Sequence, residues 1–429
     1  MTTNNAVTPS FKGLIPFIVF ISIFLGVGIA QNDFYALPAP IAVIAGILIA
    51  FLLFGQSIPS KVETFLKGCG DHKILTMCLI YLLAGAFAAV TKATGSVDSI
   101  VNLGLDMIQS QFIYLGVFII AAFLSVSTGT SVGAIVALGP IVIGFGDTGV
   151  FSLSILCGAL LGGAMFGDNL SVISDTTIAA TQSLGVNMSD KFKENIKIAL
   201  PAALTTMGVL VFFGLQIAST TTQDISYSYS IIKIMPYILV IILSVIGVNV
   251  FITLLLGVVS AGILGVICSD FTTLEFTRIA YSGFTNMTEI FLLSLLTGGL
   301  AALVAKNGGI AFILEKTRKV ISGKTSAQFG IATLVSAVNI AIANNTVSII
   351  ITGPIAKTIN TEYDLDAKKT ASLLDIFACI TQGVLPYGAQ VLLLLSLADG
   401  AIGYFNLLLN SWYIALLFLS TVLFVIFRK

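Results

Sequence analysis

The sequence predicts an all-α polytopic membrane protein: an inverted repeat of two five-span halves, each with a re-entrant hairpin and an interrupted helix. Three observations predict it. The first is composition, with 57% hydrophobic and only 9% charged residues and a mean hydropathy of +1.06, outside the usual range of soluble domains. The second is that uncharged apolar runs long enough to span a hydrocarbon core of about 30 Å recur from end to end. The third is a self-match, in which Gly139-Pro140 of ALGPI falls on Gly353-Pro354 of ITGPI at an offset of 353 − 139 = 214.

The self-match has two further members. At the same offset LLAGAFAAVTKATG from Leu82 falls on LTGGLAALVAKNGG from Leu296, pairing Gly85 with Gly299, Ala88 with Ala302, Val90 with Val304 and Lys92 with Lys306. With six residues more, IPFIVFISIF from Ile15 meets MPYILVIILS from Met235. Apolar helices resemble one another through composition, but composition does not make a Lys, a Gly-Pro and a helix-opening Pro recur in order. The halves are therefore drawn at 1–219 and 220–429.

Taken in order, the first half offers spans over Leu14 to Ala30, Pro38 to Phe54 and Ile74 to Val90. The polar lead with Lys12 resembles a secretory signal, but a second run follows at once, so a first span is expected. Next come a hairpin over Phe112 to Phe145, an interrupted span over Phe151 to Ser183 and a last span over Ile198 to Gln216. In the second half, Ile234 to Cys268 is long enough for two spans, and the Leu296 segment gives a third. A hairpin over Gln328 to Thr358, an interrupted span over Thr370 to Ala398 and a final span over Leu407 to Phe427 complete it.

Orientation follows from Lys and Arg in short loops. Lys12, the loop with Lys61, Lys67 and Lys73, the run Lys191, Lys193 and Lys197, the cluster Lys316, Arg318, Lys319 and Lys324, the pair Lys368 and Lys369, and the terminal Arg428 and Lys429 are placed in the cytoplasm. Gln31 to Tyr35 and Ser219 to Ser230 carry no Lys or Arg and are placed outside. The first half then starts inside and the second outside, which requires an odd number of crossings per half. Both termini are expected in the cytoplasm of a cell (plasma or inner) membrane protein.

Polar residues interrupt this apolar background at four places. An Asp at the bilayer centre costs roughly 2.5–3.5 kcal/mol even on mild insertion scales, so buried acids mark sites that are hydrated, partnered or ligand-binding. The richest is the segment from Gly167 to Thr177, GDNLSVISDTT, where Asp168, Asn169, Ser171, Ser174, Asp175 and Thr176 are candidate cation ligands. Thr128-Gly129-Thr130-Ser131 and Asn344-Asn345-Thr346 form the hairpin tips, and Gln382, Gly383, Pro386 and Tyr387 break the second interrupted span. Asp168 and Gln382 are 214 apart, as 382 − 168 = 214. Non-helical backbone at membrane depth is tolerated where it is buried or lines a cavity, and its carbonyls with Ser, Thr, Asn and Asp oxygens are hard ligands for an alkali cation. Paired half-helix N-termini could instead attract an anionic group. Asp375, in SLLDIFACI, is a further candidate, equally readable as a structural partner of a Lys. Glu289 reads as interfacial or coupling, and Lys92 and Lys306 as snorkelling span ends. Gly158-x-x-x-Gly162 and Gly163-x-x-x-Gly167 let helices approach closely.

GDNLSVISDTT resembles the G-D-x-x-S-P-L-S-D-T-T signature of the NhaC-type sodium/proton antiporter family, part of the ion transporter superfamily, and through the repeat the resemblance extends over most of the chain. Val172 stands where the signature has proline, and QGVLPYGAQ stands where family members often carry a D-Q-Y…L-P-G-R-M pattern. The resemblance implies an elevator carrier with two hairpins and two interrupted helices. Antiport needs one carboxylate that binds a cation or a proton, but not both, and Asp168 is the candidate. Burial favours its protonated form when the site is empty, and a bound sodium ion favours its charged form. The alternative reading is a sodium-coupled carrier of a small amino acid or organic acid.

Other classes have less support. Net charge is +0, which argues against nucleic-acid binding. Five cysteines without C-x-x-C spacing and a single histidine, His72, give no metal-cluster or disulfide framework. No G-x-G precedes Asp168, Tyr363-Asp364 lies in a charged loop, and no nucleophile is evident, so an enzyme is not expected. A passive channel is disfavoured by inverted halves with broken spans. No cofactor is expected beyond sodium ion and proton. The expected partners are membrane lipid and a small ion or solute, with a homodimer left open.

Overall fold

A computed structural model describes residues 8–31, 37–172, 174–218, 228–246, 248–319 and 321–427. The regular structure of these residues is helical. The first ten α-helices are α1 (Ile15–Gln31), α2 (Ala39–Leu53), α3 (Ile58–Cys69), α4 (His72–Ala93), α5 (Ser96–Met107), α6 (Ile113–Thr128), α7 (Ser131–Asp147), α8 (Leu153–Leu170), α9 (Asp175–Leu184) and α10 (Met188–Ala218). Eleven follow: α11 (Ile231–Val245), α12 (Val250–Ile267), α13 (Thr273–Asn286), α14 (Thr288–Lys306), α15 (Gly309–Arg318), α16 (Lys324–Ile342), α17 (Asn345–Glu362), α18 (Ala367–Val384), α19 (Ala389–Ala398), α20 (Tyr404–Asn410) and α21 (Trp412–Phe427).

Among the described residues, eight segments are long and apolar enough to cross a membrane, or nine with the bent pair α20 and α21 counted as one span. The interrupted spans fall where the sequence places them, as Leu153–Leu184 and Ala367–Ala398, and α1, α2, α7 and α11 are shorter apolar helices. The expected external segments at 32–35 and 219–227, and Arg428 and Lys429, lie outside the described residues.

Helix boundaries recur at the offset found in the sequence. Adding 214 to the ends of α8 gives 367–384, the bounds of α18, and adding it to α9 gives 389–398, the bounds of α19. The last residue of α6 maps to Ile342, the last of α16 (128 + 214 = 342), and the first of α7 maps to Asn345, the first of α17 (131 + 214 = 345). Both hairpin tips turn through a left-handed residue, Gly129 at φ 70° and Ala343 at φ 56°, again 214 apart. Glycine adopts that conformation at no steric cost, whereas alanine there is strained.

The chain divides into two compact units that cut across the sequence halves. Unit 1 comprises Met1–Cys78, Ala179–Val186 and Glu289–Tyr387, and unit 2 comprises Leu79–Ile178, Asn187–Thr288 and Gly388–Lys429. In each unit a hairpin from one half receives the second piece of the other half's interrupted span. In unit 2, a Cβ on Gly139 of α7 would lie 2.4 Å from Leu397 Cδ1 of α19. In unit 1, a Cβ on Gly353 of α17 would lie 2.2 Å from Ser183 Oγ of α9. These contacts are equivalent, since 139 + 214 = 353 and 183 + 214 = 397, and they give the repeated Gly-Pro pairs a packing reason.

Within unit 2, α6 and α7 both pack on α8. The Gly163-x-x-x-Gly167 spacing sits on this seam, where a Cβ on Gly163 would fall 2.2 Å from the Phe118 carbonyl oxygen and one on Gly167 2.4 Å from that of Ala122, whereas Gly158 and Gly162 lie closest to Asn410 and Tyr413. Within unit 1, α16 and α17 pack on α18. The two triads share a cross-brace: Ser125 Oγ donates to the Ala164 carbonyl at 2.6 Å, and Asn339 Nδ2 donates to the Ala378 carbonyl at 2.8 Å, both partners shifted by 214. Glu289 has a local role, its Oε1 accepting the Ala39 N–H at the first turn of α2.

Candidate functional site

The first interrupted span breaks after Leu170, where the terminal carbonyls of α8 lose their helical donors. Side chains replace those donors. Asn195 Nδ2 donates to the Asn169 carbonyl at 2.6 Å, and Lys191 Nζ reaches the same oxygen at 3.3 Å. Thr177 Oγ1 donates to the Ser171 carbonyl at 2.7 Å and accepts from Lys191 Nζ at 2.5 Å. Lys191 is 1% exposed, so it does not belong with the solvated basic run Lys193 and Lys197, where the sequence reading put it. A cation at a helix C-terminus is favoured by the unsatisfied carbonyls there.

Asp168 sits in the last turn of α8 and is 4% exposed. Its Oδ2 accepts the Ser131 hydroxyl at 2.7 Å and the Ser131 N–H at 3.3 Å, and its Oδ1 accepts the Ser174 hydroxyl at 2.5 Å. Ser131 is the first residue of α7, whose free N–H groups favour a negative charge. Thr130 closes that end by accepting the Gly133 N–H at 3.4 Å. Thr176 Oγ1 lies 2.9 Å from Ser174 Oγ, and Gln390 Nε2 of α19 donates to Ser131 Oγ at 2.9 Å. The result is a buried carboxylate held by hydroxyls that can also present lone pairs to a hard cation.

The candidates separate into two clusters, one per unit. Asp168, Ser131, Ser174 and Thr176 form the unit 2 network, with Thr128, Gly129 and Thr130 shaping the adjacent tip. Asn169 and Ser171 belong to the break but turn elsewhere: Asn169 Nδ2 donates to Tyr413 Oη at 3.1 Å and Ser171 Oγ to the Val126 carbonyl at 3.0 Å. Asp175 is exposed as the first residue of α9, where its charge suits the helix N-terminus, and lies outside the enclosed network. In unit 1, Asn344 caps α17 by accepting the Val347 N–H at 3.0 Å, and Asn345 Oδ1 accepts the Thr346 N–H at 2.9 Å. Gln382 Nε2 donates to the Ala343 carbonyl at 3.2 Å, and Tyr387 Oη to that of Ile340 at 2.9 Å. Gly383 and Pro386 are buried beside them, and Asp375 is fully buried within α18. Asn195, Tyr413 and Gln390 do not stand out in the sequence as site residues, and Lys191 stands there only among the cytoplasmic lysines; the offset of 214, which pairs Gln390 with Thr176, is the one available signal for Gln390.

Eight segments able to cross a membrane among the described residues, one of them broken beside a buried carboxylate, mark an integral membrane protein. The chain belongs to the Na+/H+ antiporter family, whose model matches residues 5–215 and again 215–428. It is 26% identical over 407 residues to the malate-2H(+)/Na(+)-lactate antiporter of Bacillus subtilis (strain 168), covering 87% of this chain and 86% of that protein. It is 22% identical over 346 residues to the Na(+)/H(+) antiporter NhaC of Alkalihalophilus pseudofirmus, covering 72% and 73%. The arginine/ornithine antiporter ArcD of Halobacterium salinarum is 25% identical over 420 residues, covering 89% and 85%.

Proposed function

We propose that this transporter exchanges sodium for protons by alternating access, with Asp168 as the carboxylate the two ions share. The observation that carries the reading is the 4% exposed Asp168 at the break in α8, ringed by Ser131 and Ser174 oxygens. Sodium neutralises the carboxylate in one half of the cycle and a proton does so in the other, so each excludes the other. The halves 1–219 and 220–429 have opposite topology, with both termini in the cytoplasm of a cell membrane protein. Helix bounds that recur at 214 and a family model that matches on either side of residue 215 support the halving; the Lys and Arg pattern supports the inversion. Asp375, Gln382 and the Asn344-Asn345-Thr346 tip line a companion site in the second half.

A second reading is a sodium-coupled carrier of a small amino or organic acid. It is favoured by a cavity of about 510 Å³ in unit 1, where Glu63, Lys67, Asp71 and Lys306 set both signs of charge against the apolar Val347 and Ile351. That volume lies in the range of small-molecule sites. The names of the malate/lactate and arginine/ornithine relatives agree with it. Purified protein in liposomes carrying a pH-sensitive dye separates the readings. External sodium pulses that alkalinise the lumen with no organic solute present support sodium/proton exchange. Proton movement only after malate, lactate, arginine or ornithine is added overturns it for the second reading.

A further inference from the structure

Gln390 is 3% exposed, and its amide orientation is fixed by its neighbour. The Ser131 hydroxyl has one proton, which it donates to Asp168 Oδ2, so towards Gln390 it acts as acceptor and takes the Nε2–H. That leaves Oε1 buried, with no hydrogen-bond partner among the described residues. A buried carbonyl oxygen without a donor is unfavourable unless something else fills its lone pairs. A source of negative charge, Asp168, is close by, since Nε2 lies within 2.9 + 2.7 = 5.6 Å of Oδ2. An unsatisfied acceptor beside a carboxylate is a place for a cation.

The repeat strengthens the assignment. Asp168 Oδ1 is reached through Ser174 from Thr176, and Oδ2 through Ser131 from Gln390. Thr176 and Gln390 are equivalent positions, as 176 + 214 = 390, on the second pieces of the two interrupted spans. Each half thus contributes one polar side chain to the same carboxylate, a hydroxyl from the first and a longer amide from the second. We propose that Gln390 is a direct ligand of the transported sodium ion, its Oε1 and the Asp168 carboxylate coordinating the ion together. This rests on Asp168 being the sodium site.

The test is equilibrium binding of radioactive sodium to the full-length protein in detergent, with lithium and potassium as competitors. It compares unaltered protein, Asp168→Asn, Gln390→Met and Gln390→Glu. Gln390→Met keeps length and loses the oxygen, and it is expected to weaken sodium binding about tenfold or more and to change the sodium-to-lithium preference. Gln390→Glu keeps Oε1 and is expected to retain binding. A structural role for the Nε2–H bond predicts the opposite: both variants less stable, the preference among ions unchanged, and Gln390→Glu the worse through repulsion by Asp168. An unchanged ion preference in a folded Gln390→Met, or lost binding in a folded Gln390→Glu, overturns the inference and leaves the Asp168 site standing. Should Gln390→Met fail to fold, Gln390→Glu alone decides. Absence of sodium binding in the unaltered protein overturns both.

Discussion

Gly167→Ala tests how the Asp168 site is held. The added Cβ would meet the Ala122 carbonyl oxygen at 2.4 Å, Ser125 Cβ at 2.6 Å and the Val126 nitrogen at 2.9 Å, where ordinary contact begins at 3.4 Å. The backbone atoms cannot swing aside, so α6 and α8 must part by about 1 Å. Overpacking of this kind costs about 1–3 kcal/mol. The same shift stretches the 2.6 Å bond from Ser125 to the Ala164 carbonyl, and stranding a buried polar group costs about 1–3 kcal/mol more. Alanine recovers about 1 kcal/mol of helix propensity, so the net loss is about 1–5 kcal/mol. A displacement of that size beside Asp168 also carries its carboxylate out of range of the 2.7 Å bond from Ser131. Gly208→Ala in α10 is the control, because its Cβ would meet nothing within 4 Å. Melting temperature in detergent and sodium-driven proton flux in liposomes read the two effects. The reasoning is refuted if Gly167→Ala melts with Gly208→Ala and transports at the unaltered rate.

Lys191→Met removes the ammonium that bonds Thr177 Oγ1 and the Asn169 carbonyl, and it is expected to cost about 1.5–3 kcal/mol. The exposed Lys193→Met should stay within about 0.5 kcal/mol, and melting curves of the pair check this. The start of α13 should respond to pH. The Thr272 backbone N–H, at 2.8 Å, and then its hydroxyl, at 2.9 Å, hold Glu275 below the ordinary carboxylate range. A depressed carboxylate contributes stability that is complete above its unfolded value and is lost as pH falls through the folded one. Amides in the first turn of α13 should therefore be better protected from hydrogen exchange at neutral pH than in acid, and Glu275→Gln should flatten the difference.

The sequence exposed those features whose cause is local or periodic. Both interrupted spans were legible because Asp, Ser, Thr and Gln stand out against apolar neighbours, and the hairpin tips because TGTS and ANNT supply capping oxygens and a turn. Tertiary packing decided the rest. Lys191 sits in SDKFKEN, which reads as a solvated face, and only the packing of α10 on α8 brings it to the broken end. Gln390 opens the apolar run QVLLLL and gives no local sign of a site, since its partner Ser131 lies 259 residues away. Asp175 drew attention as a second carboxylate near Asp168, but α8 ends at Leu170, and Asp175 is exposed as the first residue of a new helix.

The central claim is that one enclosed carboxylate is exchanged between sodium and a proton, and neutralising each acid of the GDNLSVISDTT segment in turn tests it most directly. Sodium-driven proton flux in liposomes should vanish in Asp168→Asn, with the protein still inserted, and should persist in Asp175→Asn. Full exchange by Asp168→Asn would contradict the account.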